Sequence, residues 1–137
     1  MMKSRTVVLF AMFVGPAYAV DDAMEPFTDL CTKWQTAYNS GDSSKVGELY
    51  TDQALFSSEV IGTMKGRLEI VRALTNQMPK TPKIMLIPRE AHIEGAVAWG
   101  IGDFSFTNGP SGHYGMTFTN DFGAWHILMH VSNVTAK

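Results

Sequence analysis

The sequence has little cysteine and no concentration of positive charge. Cys31 is the single cysteine among 137 residues, so no disulfide can form within the chain and the fold must rest on its apolar core. We interpret Cys31 as a small buried apolar side chain; the alternatives are a reactive thiol or an intermolecular bridge. The sequence contains eleven Lys and Arg and thirteen Asp and Glu, and its basic residues form no cluster. We therefore expect no nucleic-acid partner.

Long hydrophobic runs are also missing. The apolar run Thr6–Val14 is much shorter than the roughly 20 residues that a membrane-spanning helix needs. It follows two cations, Lys3 and Arg5, and precedes small residues at Ala17 and Ala19. Cations, a short apolar run and a small-x-small site together predict a secretory signal peptide that is cleaved after Ala19. The alternative is a helix that stays in place as a membrane anchor.

Residues 1–19 are thus predicted to be the signal peptide and residues 20–137 one exported domain, either periplasmic or secreted. Loss of the two cations of the signal leaves nine cations against thirteen anions, a net charge of −4 instead of −2. No later segment is apolar for long enough to span a bilayer. We therefore expect no membrane association after cleavage.

The first half of this domain shows helical periodicity. Apolar residues at steps of three and four predict an amphipathic helix from Glu25 to about Ser40. Asp42 or Ser43 can cap a short second helix that runs to about Tyr50. The remaining predictions for this half are a strand over Gln53–Glu59 and a third helix over Lys65–Met78.

The second half changes to strand-like patterns separated by turn residues. The four predicted strands are Lys83–Glu94, Ala96–Phe106, His113–Asp121 and Ala124–Asn133. Helices followed by an antiparallel meander predict an α+β domain in which the helices cover one face of a curved sheet.

One order of short motifs resembles the nuclear transport factor 2-like superfamily, closest to its SnoaL-like and ketosteroid isomerase-like branches. The residues that carry the resemblance are Ala37-Tyr38-Asn39, Gly41-Asp42, Leu49-Tyr50, Asp52, Ala54, Phe56, Gly62, Gly66, Ile70 and His130-Val131-Ser132. The resemblance covers roughly residues 25–133. It implies a cone of three N-terminal helices over a curved, mainly antiparallel sheet with a cavity inside, but it does not choose a function.

The residues of the steroid isomerases are absent from this sequence. Their carboxylate base corresponds to a position near Ser57-Ser58, with Glu59 as the nearest acid. Their phenol donor falls on Trp34 and their protonated acid on Gly115. We therefore do not expect steroid isomerase activity.

Turn chemistry suggests a register for the last strands. If the Asn108–Gly109 turn pairs Asp103 with Gly115, and the turn at Phe122 pairs Gly115 with His130, three strands contribute to one face. Members of this expected cavity face are Trp99, Ile101, Asp103, Ser105, His113, Gly115, Thr117, Thr119, His126, Leu128, His130 and Ser132. Members of the expected opposite face are Phe104, Phe106, Tyr114, Met116, Phe118, Ile127, Met129 and Val131.

In this arrangement Asp103 and His130 flank Gly115 about 9–10 Å apart, since strands lie about 4.8 Å from one another. They are the candidate catalytic pair. The other candidate cavity residues are Trp34, Tyr38, Tyr50, Phe56, Glu59, Trp99, His113 and Ser132. The simpler interpretation is that Asp103 lies at a rim, His130 is a hydrogen-bonded core histidine and Gly115 relieves a bend.

Two functions fit these residues. One is an exported domain that binds a small hydrophobic or amphipathic molecule. The other is a cofactor-free enzyme of the isomerase, dehydratase or cyclase type, in which His130 transfers a proton and Asp103 either orients His130 or binds the opposite end of the substrate. We expect no cofactor and no metal, because His92 and Glu94 lack a third ligand. A large apolar opposite face predicts a homodimer through the sheet, unless the two faces are reversed; assembly alone is a third possibility.

Overall fold

The computed structural model describes residues 21–136, with side chains from Ala23 onward. The predicted signal peptide and its cleavage site lie outside these residues. The helices are α1 (Asp21–Asn39), α2 (Ser43–Glu48) and α3 (Arg67–Gln77), the last followed by a 3₁₀ turn at Met78–Lys80. The strands are β1 (Tyr50–Ser58), β2 (Gly62–Lys65), β3 (Ile84–Glu94), β4 (Val97–Phe106), β5 (Ser111–Asp121) and β6 (Ala124–Ala136).

The strands form one curved sheet in the order β2-β1-β6-β5-β4-β3. All neighbours are antiparallel except β1 and β6, which run parallel. The helices pack on one side, so the predicted α+β cone is confirmed. The sequence did not predict β2, a four-residue strand too short to show alternation. The second helix was also predicted too long: it ends at Glu48, and Tyr50 begins β1.

The longest helix, α1, is seated by a close contact with the sheet. The fully buried ring of Phe27 lies against β4 at Gly100. A Cβ at Gly100 would stand 2.6 Å from the ring, so only glycine lets the helix approach this closely. The same ring stacks on Phe118 of β5 with centroids 5.7 Å apart. Helix and sheet therefore share a core with little tolerance for extra volume.

The hairpin between β5 and β6 follows the predicted register only near its turn. Phe122 and Gly123 both have positive φ, 53° and 84°, which is the geometry of a tight two-residue hairpin turn. The register expected from this turn holds as far as the pair Phe118 and Ile127. A bulge at Leu128 then shifts it by one residue, so that Gly115 pairs with Val131 and not with His130.

This bulge reverses which side chains of β6 point toward the helices, since side chains alternate along a strand. His126 lies beside Thr119, on the face turned away from the helices, whereas His130 is 3% exposed in the core. The predicted face containing both histidines is therefore wrong. We call the helix-covered side the inner face and the other side the outer face.

The side chains of β4 and β5 were grouped correctly into two faces. However, the group predicted to face the helices is the one that faces away from them. Asp103 pairs with His113, two residues from the predicted partner Gly115, and a two-residue shift leaves faces unchanged. The members of the inner face include Phe104, Tyr114, Met116, Phe118, Ile127 and His130. The members of the outer face include Trp99, Ile101, Asp103, His113, Met129 and Val131. Within residues 21–136 no helix combines the length and the apolar character needed to cross a membrane.

Candidate functional site

A cavity opens between α1, the β1–β2 hairpin, the end of α3 and the inner face of the sheet. The volume of this cavity is about 40 Å³. This volume is far below the roughly 300–1,000 Å³ of pockets for drug-sized ligands. The walls are mainly aromatic and aliphatic side chains. The cavity as it stands suits a small molecule with an apolar body.

Five of the predicted cavity residues meet here. They are Trp34, Tyr38, Phe56, His130 and Ser132. Trp34 and Tyr38 come from consecutive turns of α1 and stack with their ring centroids 4.9 Å apart. The helical spacing and the resemblance were thus enough to bring these residues together.

Five other candidates lie elsewhere. Tyr50 is fully buried behind the wall, in contact with His130. Glu59 is exposed in the turn after β1. Asp103, Trp99 and His113 lie on the outer face, and the bulge at Leu128 puts His130 on the opposite face from them. The predicted pair of Asp103 and His130 across Gly115 is therefore not present.

His130 forms the inner end of the cavity and is enclosed by aromatic rings. Phe56 stacks on its imidazole with centroids 4.1 Å apart and planes 8° from parallel. The edge of Trp34 lies at a centroid distance of 5.7 Å. Burial lowers the pKa of His130 from its ordinary value of 6.5 to about 3, since the charged ring would lose its hydration. The ring is therefore neutral near pH 7.

The imidazole is held by a buried hydrogen-bond chain. Trp34 Nε1 donates to the Tyr50 hydroxyl oxygen at 2.9 Å, and this hydroxyl contacts His130 Nδ1 at 2.7 Å. Burial also raises the pKa of Tyr50, so its phenol stays protonated. Resemblance pointed to His130 as a cavity residue, but no pattern in the sequence indicated that Tyr50 would orient it.

A second buried pair joins Cys31 to the opposite wall. Cys31 Sγ lies 3.2 Å from the hydroxyl oxygen of Tyr114. Burial raises the pKa of Cys31 to about 12, and a protonated, enclosed thiol is a poor nucleophile. The interpretation of Cys31 as a buried side chain is confirmed.

Asp103 belongs to a separate charged group on the outer face. One carboxylate oxygen accepts a hydrogen bond from Arg89 Nε at 2.8 Å, and the other lies 2.8 Å from His113 Nδ1. These partners, Arg89 first, hold the pKa of Asp103 below its usual value. This group cannot serve the cavity, which lies on the other side of the sheet.

The chemistry of the cavity is limited by what lines it. Among the described residues no Asp, Glu, Lys or Arg lines it, and its polar contributions come from the neutral side chains of Gln77, Tyr38, Tyr114, His130 and Ser132. Sequence reasoning missed Gln77, which has no distinguishing pattern, and put Tyr114 on the wrong face. Across the described part of the chain no three His, Cys, Asp or Glu side chains are grouped closely enough to hold a metal ion.

Comparisons with known proteins agree on the architecture. No protein-family model matches the chain, and no curated protein matches it. Among solved structures, an NTF-2-like protein of unknown function from Shewanella oneidensis MR-1 superposes with a TM-score of 0.69 at 18% identity, covering 80% of this chain and 97% of that chain. A domain of unknown function with a cystatin-like fold from Nostoc punctiforme gives a TM-score of 0.73 at 12% identity, covering 87% and 81%.

A third structure, an NTF2-like protein with a cystatin-like fold from Novosphingobium aromaticivorans, gives a TM-score of 0.67 at 15% identity, covering 82% of each chain. Identities this low establish the fold and leave activity open. The helices over a curved sheet and these three superpositions lead to one conclusion. The chain has the nuclear transport factor 2-like fold.

Proposed function

We propose that this protein is an exported domain of the SnoaL-like type that binds a small, largely apolar molecule in its internal cavity. The observation that carries the proposal is the composition of the cavity wall, where aromatic and aliphatic side chains surround one buried, neutral histidine. Sites for small molecules commonly combine an apolar wall with a few placed polar groups.

The alternative, proton transfer by His130 and Asp103, loses support from the geometry. Asp103 is on the outer face, and a histidine with a pKa of about 3 is a weak base at neutral pH, where efficient general bases are tuned close to 7. Among the described residues no carboxylate lines the cavity to replace Asp103. A binding function therefore explains these features of the cavity better than a catalytic function.

The mouth of the cavity sets the size of the ligand. Val60 and Ile61, in the turn between β1 and β2, form one side of it, and Gln77 at the end of α3 forms another. These side chains are only partly buried. A ligand larger than a few heavy atoms would have to move this turn, because the remaining wall belongs to packed helix and sheet.

Neighbouring residues of β6 provide a matched test. Ser132 lines the cavity, whereas Asn133 projects from the outer face. We expect small apolar probes such as toluene, which displaces the turn at Val60 and Ile61 as it enters, to raise the melting temperature of the wild type and of Asn133→Trp. Ser132→Trp should abolish this shift, because the indole fills the mouth. Equal shifts in both variants, or none in the wild type across a broad set of probes, would contradict binding in this cavity.

Export is a separate part of the proposal. It is supported by the three-part pattern of residues 1–19, with cations, an apolar run and a small-x-small site in order. The mature protein should begin at Val20 when the full chain is expressed in a bacterium with an intact secretion pathway. Intact mass measurement of the extracytoplasmic fraction checks this. A chain that keeps Met1 and sediments with membranes would show an uncleaved anchor.

The faces of β4 and β5 are reversed, so most of the apolar face from which a dimer was predicted is the core. We propose on other grounds that the protein is a homodimer through its outer face. Apolar side chains from three strands are exposed there: Leu55 on β1, Met129 and Val131 on β6, and Trp99 and Ile101 on β4. Thr117 and Gly115 of β5 lie between the last two strands. The apolar side chains are 40–56% exposed, and the polar group around Asp103 borders them. A group of exposed apolar side chains with a polar border is typical of a contact between copies.

Charge placed on that surface tests the dimer. Met129→Glu should give a monomer by sedimentation at micromolar concentration, because the carboxylate would be buried without a partner. Leu68→Glu is the control, since Leu68 is 81% exposed on α3, which packs on the opposite side of the sheet. Dissociation by both variants, or by neither, would place the contact elsewhere.

A further inference from the structure

The hydrogen-bond chain behind the cavity has a direction. An indole N–H can only donate, so the Tyr50 oxygen accepts from Trp34 Nε1 at 2.9 Å. The Tyr50 proton then has one acceptor among the described residues, His130 Nδ1 at 2.7 Å. Tyr50 therefore donates and Nδ1 accepts. Each polar atom in the chain is satisfied only in this direction, as burial requires.

The direction of this chain fixes the tautomer of His130. A neutral imidazole that accepts at Nδ1 carries its proton on Nε2. Within residues 21–136 no group accepts a hydrogen bond from Nε2. No fully enclosed polar side-chain atom of the described residues is left without a partner, so Nε2 must reach the surface of the cavity that His130 lines. The cavity thus receives an N–H donor at its inner end.

We propose that the Nε2–H of His130 anchors a neutral small molecule through one hydrogen-bond acceptor, and that Tyr50 and Trp34 are positioning residues that hold this proton toward the ligand. This inference rests on the proposed binding function and specifies its ligand class. The ligand is an apolar body that carries a carbonyl or ether oxygen.

The cavity discriminates against charge of either sign. Among the described residues no cation lines it to balance a carboxylate, and an unpaired ion in an apolar site costs far more than one hydrogen bond returns. An ammonium group would meet the donor Nε2–H, and the hydroxyls of Tyr38 and Tyr114 already contact Thr81 and Cys31. Ser132 and Gln77, only half-buried at the mouth, can exchange hydrogen bonds with water. A neutral acceptor is the remaining partner for Nε2–H.

Imidazole nitrogen shifts measure the tautomer directly. In full-length mature protein labelled with ¹⁵N-histidine, we expect His130 at pH 7 to show protonated Nε2 and unprotonated Nδ1. Tyr50→Phe removes the donor to Nδ1 and should mix the two tautomers, whereas Tyr38→Phe, which alters a ring on the same wall, should leave the tautomer fixed. A protonated Nδ1 in the wild type would overturn the proposal, with no ligand needed.

Isosteric probes then test the ligand class. Cyclohexanone and methylenecyclohexane have nearly the same shape, but only the ketone offers an acceptor. We expect the ketone to bind about three- to tenfold more tightly, the range that one net hydrogen bond supplies, and cyclohexylammonium not to bind. His130→Phe should bind the ketone no more tightly than the hydrocarbon, and methylenecyclohexane should still bind to this variant.

The outcomes separate the two proposals. Equal affinity for ketone and hydrocarbon would overturn the acceptor anchor and leave the binding function standing. Tighter binding of cyclohexylammonium than of the ketone would overturn the anchor as well. A cavity that takes up none of these probes, and none in the thermal screen above, would overturn the binding function and the ligand class together.

Discussion

The inner face of the sheet is built from the same strands as the outer face, yet its hydrogen-bonded polar side chains are buried, whereas those of the outer face are exposed to water. On the inner face His130 is neutral and every hydrogen bond that it makes is buried. On the outer face Asp103 and Arg89 form an ion pair at 2.8 Å with side chains that are 35% and 59% exposed. Both faces are otherwise rich in apolar residues.

This difference shows what determines the chemistry of each face. The Asp103–Arg89 ion pair and the neighbouring His113 stay in contact with water. Their pairing therefore contributes little net stability. The hydrogen bonds that join Trp34, Tyr50 and His130 are buried, so each member of this chain depends on the others. Changes that touch the inner chain should therefore cost much more than equivalent changes on the outer face.

Acid should show the largest difference between the faces. An unfolded histidine takes up a proton near pH 6.5, whereas the buried ring of His130 does so near pH 3. The unfolded state thus binds more protons in this window. The free energy of unfolding should be unaffected by His130 above pH 6.5 and fall by as much as ~5 kcal/mol as the pH drops toward 3.

Urea unfolding at several pH values measures this loss. His130→Phe removes the titrating ring and should flatten the decline below pH 6.5, even if its stability at pH 7 is lower. Thr117→Val changes a side chain on the outer face without removing a titrating group and should keep the slope of the wild type. A slope that His130→Phe leaves unchanged would mean that the buried ring does not govern the acid response.

Removal of one hydroxyl from each face should show the next largest difference. Tyr50→Phe leaves the Trp34 N–H and His130 Nδ1 without partners, and each buried orphan costs about 1–3 kcal/mol. We expect a total loss of about 2–6 kcal/mol. Thr117→Val, on the outer face, should stay within about 0.5 kcal/mol of the wild type. Chemical denaturation gives both values, and comparable losses would contradict the inner–outer difference.

How far the two faces of the sheet could be predicted from the sequence depends on one residue, Leu128. Helical spacing placed Trp34 and Tyr38 on one face of α1, and the resemblance supplied the cone and the inward position of His130. The grouping of side chains on β4 and β5 also followed from alternation. All of these features are local or repeat with a regular period, and such features can be derived from sequence.

The bulge at Leu128 could not be derived in this way. Apolar residues alternate without interruption through Trp125, Ile127, Met129 and Val131, so the pattern continues across the extra residue and conceals it. In the structure Ile127 is fully buried, whereas Met129 and Val131 are 44% and 46% exposed. Because both faces carry apolar residues, hydrophobicity could not show which face meets the helices.

Two glycines allow the smallest test of the difference between the faces. An added methyl group at each glycine measures how much space that face offers. Gly100 faces α1, and a Cβ there would stand 2.6–2.8 Å from atoms of the Phe27 ring. Gly115, in the adjoining strand, faces outward, and its nearest neighbour, a backbone oxygen of Gly100, would be at an ordinary 3.7 Å. Gly100→Ala should cost about 1–3 kcal/mol through overpacking, and Gly115→Ala less than about 0.5 kcal/mol. Thermal unfolding of the two variants measures this difference. Equal losses would mean that α1 can move away from the sheet, in which case the cavity wall carried by Trp34 and Tyr38 would be as adjustable as the mouth at Val60.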